Sequence, residues 1–184
     1  ESWIKEAQKR GLSNYASTPE ALAHYLDKKN VSVFTKTGVL FLTELKSRYE
    51  IYLEKYYKTI NIEALTLIDM MRKDILPAVT RFELDLKNSL DEDDDLELFD
   101  EQSYEFKTVK FIKKNKKHIC KAIAKIKSLL KDKPQESKAK ADFYHDKIIP
   151  LMKEIRESAD ELEKVTGRNY WPMPVYSDLL FGKD

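Results

Sequence analysis

Between Leu45 and Val79 apolar side chains recur at steps of three and four: Leu45, Tyr49, Tyr52 with Leu53, Tyr56, Ile60, Ala64, Leu67, Met71, Ile75 and Val79. That period keeps one side of a helix apolar for about ten turns and matches no strand pattern. A helix this long must bury its stripe against partners, and the sequence supplies two. Val109, Ile112, Ile119, Ile123, Ile126 and Leu130 mark one, and Ala141, Tyr144, Ile148, Met152, Ile155, Ala159, Leu162 and Val165 mark another. The expectation is an all-α fold, an antiparallel bundle of three long helices joined by short connections.

Prolines and glycines punctuate this plan. Pro77 removes an amide that would bond the carbonyl of Lys73 and its ring crowds that turn, so the first long helix should kink near 73–77. Pro134 should end the second helix, Pro150 should interrupt the last, and Gly167 stands where a C-cap is expected. Toward the N-terminus, Trp3 to Arg10 is helix-compatible. Thr18-Pro19-Glu20 offers an N-cap, a first-turn proline and an early acid for a short helix over about 19–29. Asn30 to Gly38 carries Val31, Val33 and Phe34 without helical spacing and reads as an ordered loop with its apolar residues inward. Residues 169–184 cannot stay helical through Trp171-Pro172-Met173-Pro174 and should run extended.

Composition narrows the function classes. At 184 residues the chain fits a single domain over 1–184, large enough to bury roughly 70% of its unfolded surface without staples. Four glycines leave no Gly-rich phosphate loop, one cysteine makes no internal disulfide, and no apolar run approaches the ~20 residues of a membrane span. The chain reads as cytoplasmic, with no membrane partner. Glu1 follows neither an initiator methionine nor a leader, which suits a segment of a longer protein. A formal charge of +1 argues against a dedicated nucleic-acid binder. It conceals two opposite blocks, an acidic run at 91–101, read as a solvated mobile connection, and eleven lysines without arginine from Lys107 to Lys133.

Candidate chemistry is sparse. A di-metal bundle site needs paired Glu-x-x-His units, and none occurs among His24, His118 and His145. An EF-hand begun at Asp91 fails at its sixth and twelfth positions, Leu96 and Gln102. Cys120 adjoins an apolar stripe and reads as a small hydrophobe. No catalytic, cofactor or metal residue is therefore assigned. Two surfaces remain. Lys113, Lys114 and Lys117 form a basic face that is either a solvated helix side or a site for an acidic partner or RNA. The tail residues Trp171, Tyr176, Leu179, Leu180 and Phe181 are too apolar to stay exposed and should dock on their own bundle, another domain or another subunit.

Ordered motifs also carry a resemblance. Ser47-Arg48-Tyr49-Glu50-Ile51-Tyr52-Leu53-Glu54-Lys55-Tyr56, Ile62-Glu63-Ala64, Asp69-Met70 and Ile75-Leu76-Pro77-Ala78-Val79 are similar to the C-terminal region of type III glutamine synthetases. So are Arg156 to Glu163, the Trp-Pro-x-Pro-x-Tyr-x-Asp-Leu-Leu-Phe tail, Thr18 to Leu22 and the stretch from Lys29 to Gly38. Residues 85–140 add little to it. The resemblance implies a parent enzyme of nitrogen assimilation that joins ammonia to glutamate with ATP and a divalent metal, Mg or Mn, in large homo-oligomers. It implies that the catalytic residues lie in domains preceding Glu1, with this segment inactive alone and packed on its own catalytic domain or on neighbouring subunits. The alternative is a stand-alone helical module that uses the lysine face.

Overall fold

The computed structural model describes residues 2–91, 103–174 and 176–180. All regular structure among the described residues is helical, as the stripes require. In chain order it comprises α1 (Ser2–Lys9), α2 (Thr18–Ala23), α3 (Lys28–Lys36), α4 (Leu42–Met70), α5 (Leu76–Asp91), α6 (Tyr104–Leu129), α7 (Ser137–Phe143), α8 (Ile149–Val165) and α9 (Tyr176–Leu180). The acidic connection expected at 91–101 lies, beyond Asp91, outside the described residues. The chain divides into two compact units. One holds Glu1–Ile62 with Lys133–Ile149 and the other Glu63–Asp132 with Pro150–Asp184.

The first unit is organised by helix caps and aromatic rings. Ser17 rather than Thr18 caps α2, its Oγ accepting from the Glu20 amide, while Glu20 Oε2 reaches back to the Ala16 amide at 2.9 Å. This reciprocal pair satisfies two otherwise orphaned donors. A 3₁₀ turn over His24–Leu26 follows, so the helix expected over about 19–29 stops as an α-helix at Ala23, and α3 covers most of the stretch 30–38 that was expected as a loop. Its Thr35 and Thr37 hydroxyls bond the carbonyls four residues back at 2.8 Å, and Val33 faces solvent at 55% exposure, which is why its apolar residues lack core spacing. Leu45, Leu53 and Ile60 on α4 are buried, as are Ala141, Tyr144 and Ile148. Tyr144 Oη donates to Asn61 Oδ1 at 2.8 Å, its ring stacks near Tyr57 at 6.2 Å, and Lys140 Nζ lies 5.0 Å from the Tyr57 centroid. Asn61, which breaks the apolar pattern of α4, is thus the acceptor for a buried phenol.

The second unit is the larger apolar core. Ala64, Ile68, Met71, Ile75, Ala78 and Val79 are buried, together with Val109, Ile112, Ile119, Ile123 and Ile126 of α6 and Leu151, Ile155, Ala159 and Leu162 of α8. Glu83 of α5 is buried too. Its Oε2 accepts from Lys116 Nζ of α6 at 2.7 Å and its Oε1 from Lys87 Nζ at 2.5 Å, while Lys116 also donates to Thr80 Oγ1 at 2.8 Å. α5 and α6 are therefore joined by a buried ionic clasp as well as by aliphatic packing.

Both interior prolines are met in the same way. Where the kink near 73–77 was expected, Met71–Ile75 forms a π turn, with the Leu76 amide donating to the Met71 carbonyl five residues back. Before Pro150 a second π turn covers Tyr144–Ile148, with the Ile149 amide on the Tyr144 carbonyl. A π turn widens the helix, so the carbonyls a proline ring would strike are displaced and the helix carries on. The buried pairs Met71/Ile75 and Tyr144/Ile148 occupy matching places in the two turns.

The last segment departs from an extended strand. Residues 176–180 form α9, and Arg168 Nη2 donates to Asp178. Gly167 does not take the left-handed conformation of a C-cap glycine. Its role is spatial, since a Cβ there would lie 3.3 Å from Tyr170 Cδ2 and 3.4 Å from Phe82 Cε2.

Candidate functional site

α6 is started by Ser103, whose Oγ accepts from the Phe106 amide at 3.2 Å, and its stripe sends Ile112, Ile119 and Ile126 inward. Helical geometry then fixes the opposite side. Lys110, Lys113, Lys114, Lys117, His118 and Lys121 line one open concavity of about 430 Å³. The three lysines singled out from sequence, Lys113, Lys114 and Lys117, thus come together on one exposed face. Lys116 is separated from them by its inward turn to Glu83.

A second groove, of about 420 Å³, lies between α6 and α8 and shares His118 and Lys121 with the first. Lys125 joins them from α6, and Glu154, Glu157 and Glu161 face them from α8. Cys120, expected against the apolar stripe, is exposed, because its register on α6 turns away from Ile119 and Ile123.

Three of the five tail residues have described side chains. Trp171 is half-buried, with its indole Nε1 enclosed and lacking an acceptor among the described residues. Leu179 and Leu180 on α9 stand 70% and 62% exposed. Phe181 and the side chain of Tyr176 lie outside the described residues. Ahead of Trp171, the Tyr170 ring packs tilted against Phe82 with centroids 5.2 Å apart, and its hydroxyl donates to Asp85.

A further surface escaped the sequence reading. At the start of α4, Thr43, Glu44, Ser47, Arg48, Ile51 and Tyr52 line a groove of about 510 Å³. Phe41 is 72% exposed beside it and Glu44 Oε2 accepts the Phe41 amide at 2.6 Å. Tyr52 was counted with the buried stripe, yet it is 40% exposed, because Leu53 takes the inward position at that turn. Only Phe41 and Ile51 fell outside the helix period, and two apolar residues ten apart gave no signal of a shared patch.

The displaced titrations all move away from neutrality. Burial raises the phenols of Tyr49, Tyr56 and Tyr144, the hydrogen bond to Asp85 raises Tyr170, and hydrogen bonds to Glu54 and Glu161 raise Lys58 and Lys164. For Glu83, burial alone would push the carboxyl up, but the bonds from Lys116 and Lys87 more than reverse it and hold it below the usual range. These groups stay in their ordinary charge states at pH 7, as donors, acceptors and ion pairs, and none is tuned as a proton-transfer catalyst would be. Among the described residues no three His, Cys, Asp or Glu side chains gather as a metal ion requires. Among the described residues the donor set does not fit the divalent metal that the resemblance implies for the parent enzyme, and no metal chemistry is assigned to them. No helix among the described residues is long and apolar enough to cross a membrane.

Comparison with known proteins places this geometry. Residues 1–93 match the family model of the glutamine synthetase C-terminal domain. A glutamine synthetase of Butyrivibrio fibrisolvens is 32% identical over 98% of the chain and 26% of its own length. A type-3 glutamine synthetase of Dictyostelium discoideum is 31% identical over 97% and 25%, and a glutamine synthetase of Bacteroides fragilis (strain YCH46) is 33% identical over 100% and 26%. The chain spans about a quarter of the length of these curated relatives. With the family model covering just over half of its residues and its relatives aligned along nearly all of it, the chain belongs to the glutamine synthetase C-terminal domain family.

Proposed function

We propose that this chain is the accessory helical domain of a cytoplasmic, ATP-dependent glutamate–ammonia ligase, and that it packs on the catalytic domain or a neighbouring subunit to stabilise a large homo-oligomer. Family membership supports the parent activity, which would be carried by residues outside this chain together with ATP and Mg or Mn. The observation that carries the accessory role is uncovered apolar surface. Leu179 and Leu180 on α9 and Phe41, Ile51 and Tyr52 at the start of α4 are exposed, and the Trp171 indole lacks an acceptor among the described residues. Surfaces of this kind mark contacts with partners, with aromatic residues as anchors.

The test is made in the full-length enzyme. Trp171→Ala with Phe181→Ala, and separately Phe41→Ser with Ile51→Ser, should lower the oligomer mass in sedimentation or lower its melting temperature. Unchanged mass and melting in both would overturn the proposal. The 184-residue chain alone should form no glutamine from glutamate, ammonia and ATP.

A further inference from the structure

The charged surfaces of this chain follow two different plans. On α4 and α8 and at the first π turn, opposite charges stand four residues apart and meet: Glu54 with Lys58, Asp69 with Lys73, Lys153 with Glu157, Arg156 with Asp160. α6 does the reverse. Lys110 neighbours Lys113 and Lys114 at helical spacing, both of these neighbour Lys117, and Lys117 neighbours Lys121. Like charges at three and four residues repel and destabilise a helix. No ion pair joins any of these five lysines to an acid among the described residues, whereas Lys116, in the same helix, is paired with Glu83.

We infer that the face of α6 bearing Lys110, Lys113, Lys114 and Lys117 is a binding site for a linear polyphosphate group. Four ammonium groups spread over 110–117 present a strip about 10 Å long at 1.5 Å rise per residue, suited to several phosphates at once. Lysine acts on phosphate as a compact point charge, so charge density decides recognition. The concavity is lined only by lysines and His118, a dense set of point charges with no aromatic platform for bases among its lining residues. The site has a defined edge. Beyond Lys121, Glu154 lines the adjoining groove together with Glu157 and Glu161, which are paired with Lys153 and Lys164, so the acidic side of that groove offers an anion less than the Lys110–Lys117 part of the face does.

The group can be a free polyphosphate chain or the tail of a nucleotide. Calorimetry on the full-length protein separates the two, with inorganic tripolyphosphate as the probe at about 50 mM and about 200 mM salt, and GTP as the nucleotide arm. Tripolyphosphate should bind, weakening about tenfold between the two salts. With the catalytic nucleotide site saturated by ADP, Lys113→Gln/Lys114→Gln/Lys117→Gln should abolish the remaining binding, and the corresponding arginine triple variant, which keeps the charge, should retain it. Equal affinity for both probes identifies a free chain as sufficient, and tighter binding of GTP that is lost in the glutamine variant identifies a nucleotide tail. The inference is overturned if tripolyphosphate does not bind below about 1 mM, if the correctly folded glutamine variant binds as the parent does, or if only a single-stranded RNA binds.

Discussion

The clasp between α5 and α6 makes a quantitative prediction. Glu83 has a side chain only 6% exposed and accepts from two lysines, Lys116 at 23% exposure and Lys87 at 40%. A hydrogen bond to a charged group contributes about 1.5–3 kcal/mol when shielded, while the (i, i+4) bond from Lys87, whose ammonium end is the more solvated of the two, contributes about 0.5. Glu83→Ala removes both bonds and leaves Lys116 partly buried and unpaired, so it should cost about 2–4 kcal/mol. Lys116→Met should cost a similar amount, because it strands the buried carboxylate on Lys87 alone. Replacing both residues together, Glu83→Leu with Lys116→Met, removes the desolvated charges along with their attraction and should fall within about 1 kcal/mol of the parent. Urea denaturation of the 184-residue chain, followed by helical circular dichroism, measures all three. Acid provides an independent check. The folded carboxyl titrates below its unfolded value of about 4.5, so its stabilisation is complete above that value and is lost as pH falls through the folded one. The gap between the parent and Glu83→Gln should therefore be full at pH 7 and close in strong acid. Single-variant losses under about 0.5 kcal/mol, or a double variant that costs the sum of its parts, would refute the reasoning.

Three other outcomes follow from local geometry. Tyr144→Phe leaves Asn61 Oδ1 without its donor and should cost about 1–2 kcal/mol in urea; no loss would mean that water replaces the phenol freely. Gly167→Ala meets side-chain rings rather than a strained backbone, so the rings should yield at a cost near 1 kcal/mol, and a loss above about 3 would show that Phe82 and Tyr170 cannot shift. Pro77→Ala should leave the Met71–Ile75 turn in place, because buried Ala78 and Val79 fix the register beyond it; amide exchange showing ordinary α-helical bonding through 71–76 would disprove this.

The parts of the fold that were legible in the sequence obey a repeat. Leu45, Leu53, Ile60, Ala64, Met71, Ile75 and Val79 were placed inward by spacing alone and are buried, as are Ile112, Ile119 and Ile126. α3 was not legible for the same reason, since a helix that leaves Val33 outside has no core period to display. Glu83 with Lys116 and Tyr144 with Asn61 are joined across 33 and 83 residues, and nothing local in either segment names the other. Of the candidate surfaces, the lysine face was legible because one helix carries it whole. The patch of Phe41, Arg48, Ile51 and Tyr52 was not, because Tyr52 satisfied the inward period as well as Leu53 did, and only packing decides which of two adjacent residues is covered.

The two prolines show how a local rule and a global pattern combine. Taken alone, a proline inside a helix predicts a break costing about 3 kcal/mol, and Pro77 and Pro150 would each divide a long helix. The apolar stripes predict the opposite, for they pass through both prolines without a gap: Met71, Ile75 and Val79 around one, Tyr144, Ile148 and Leu151 around the other, all buried. Both demands can be met only if the helix continues while the ladder skips one bond. A π turn does this, and in each case it ends two residues before the proline, with its buried pair at the same offset. The uninterrupted stripe therefore outweighs the proline rule as a guide to helix continuity, and the place where the two conflict is where the helix changes its hydrogen bonding.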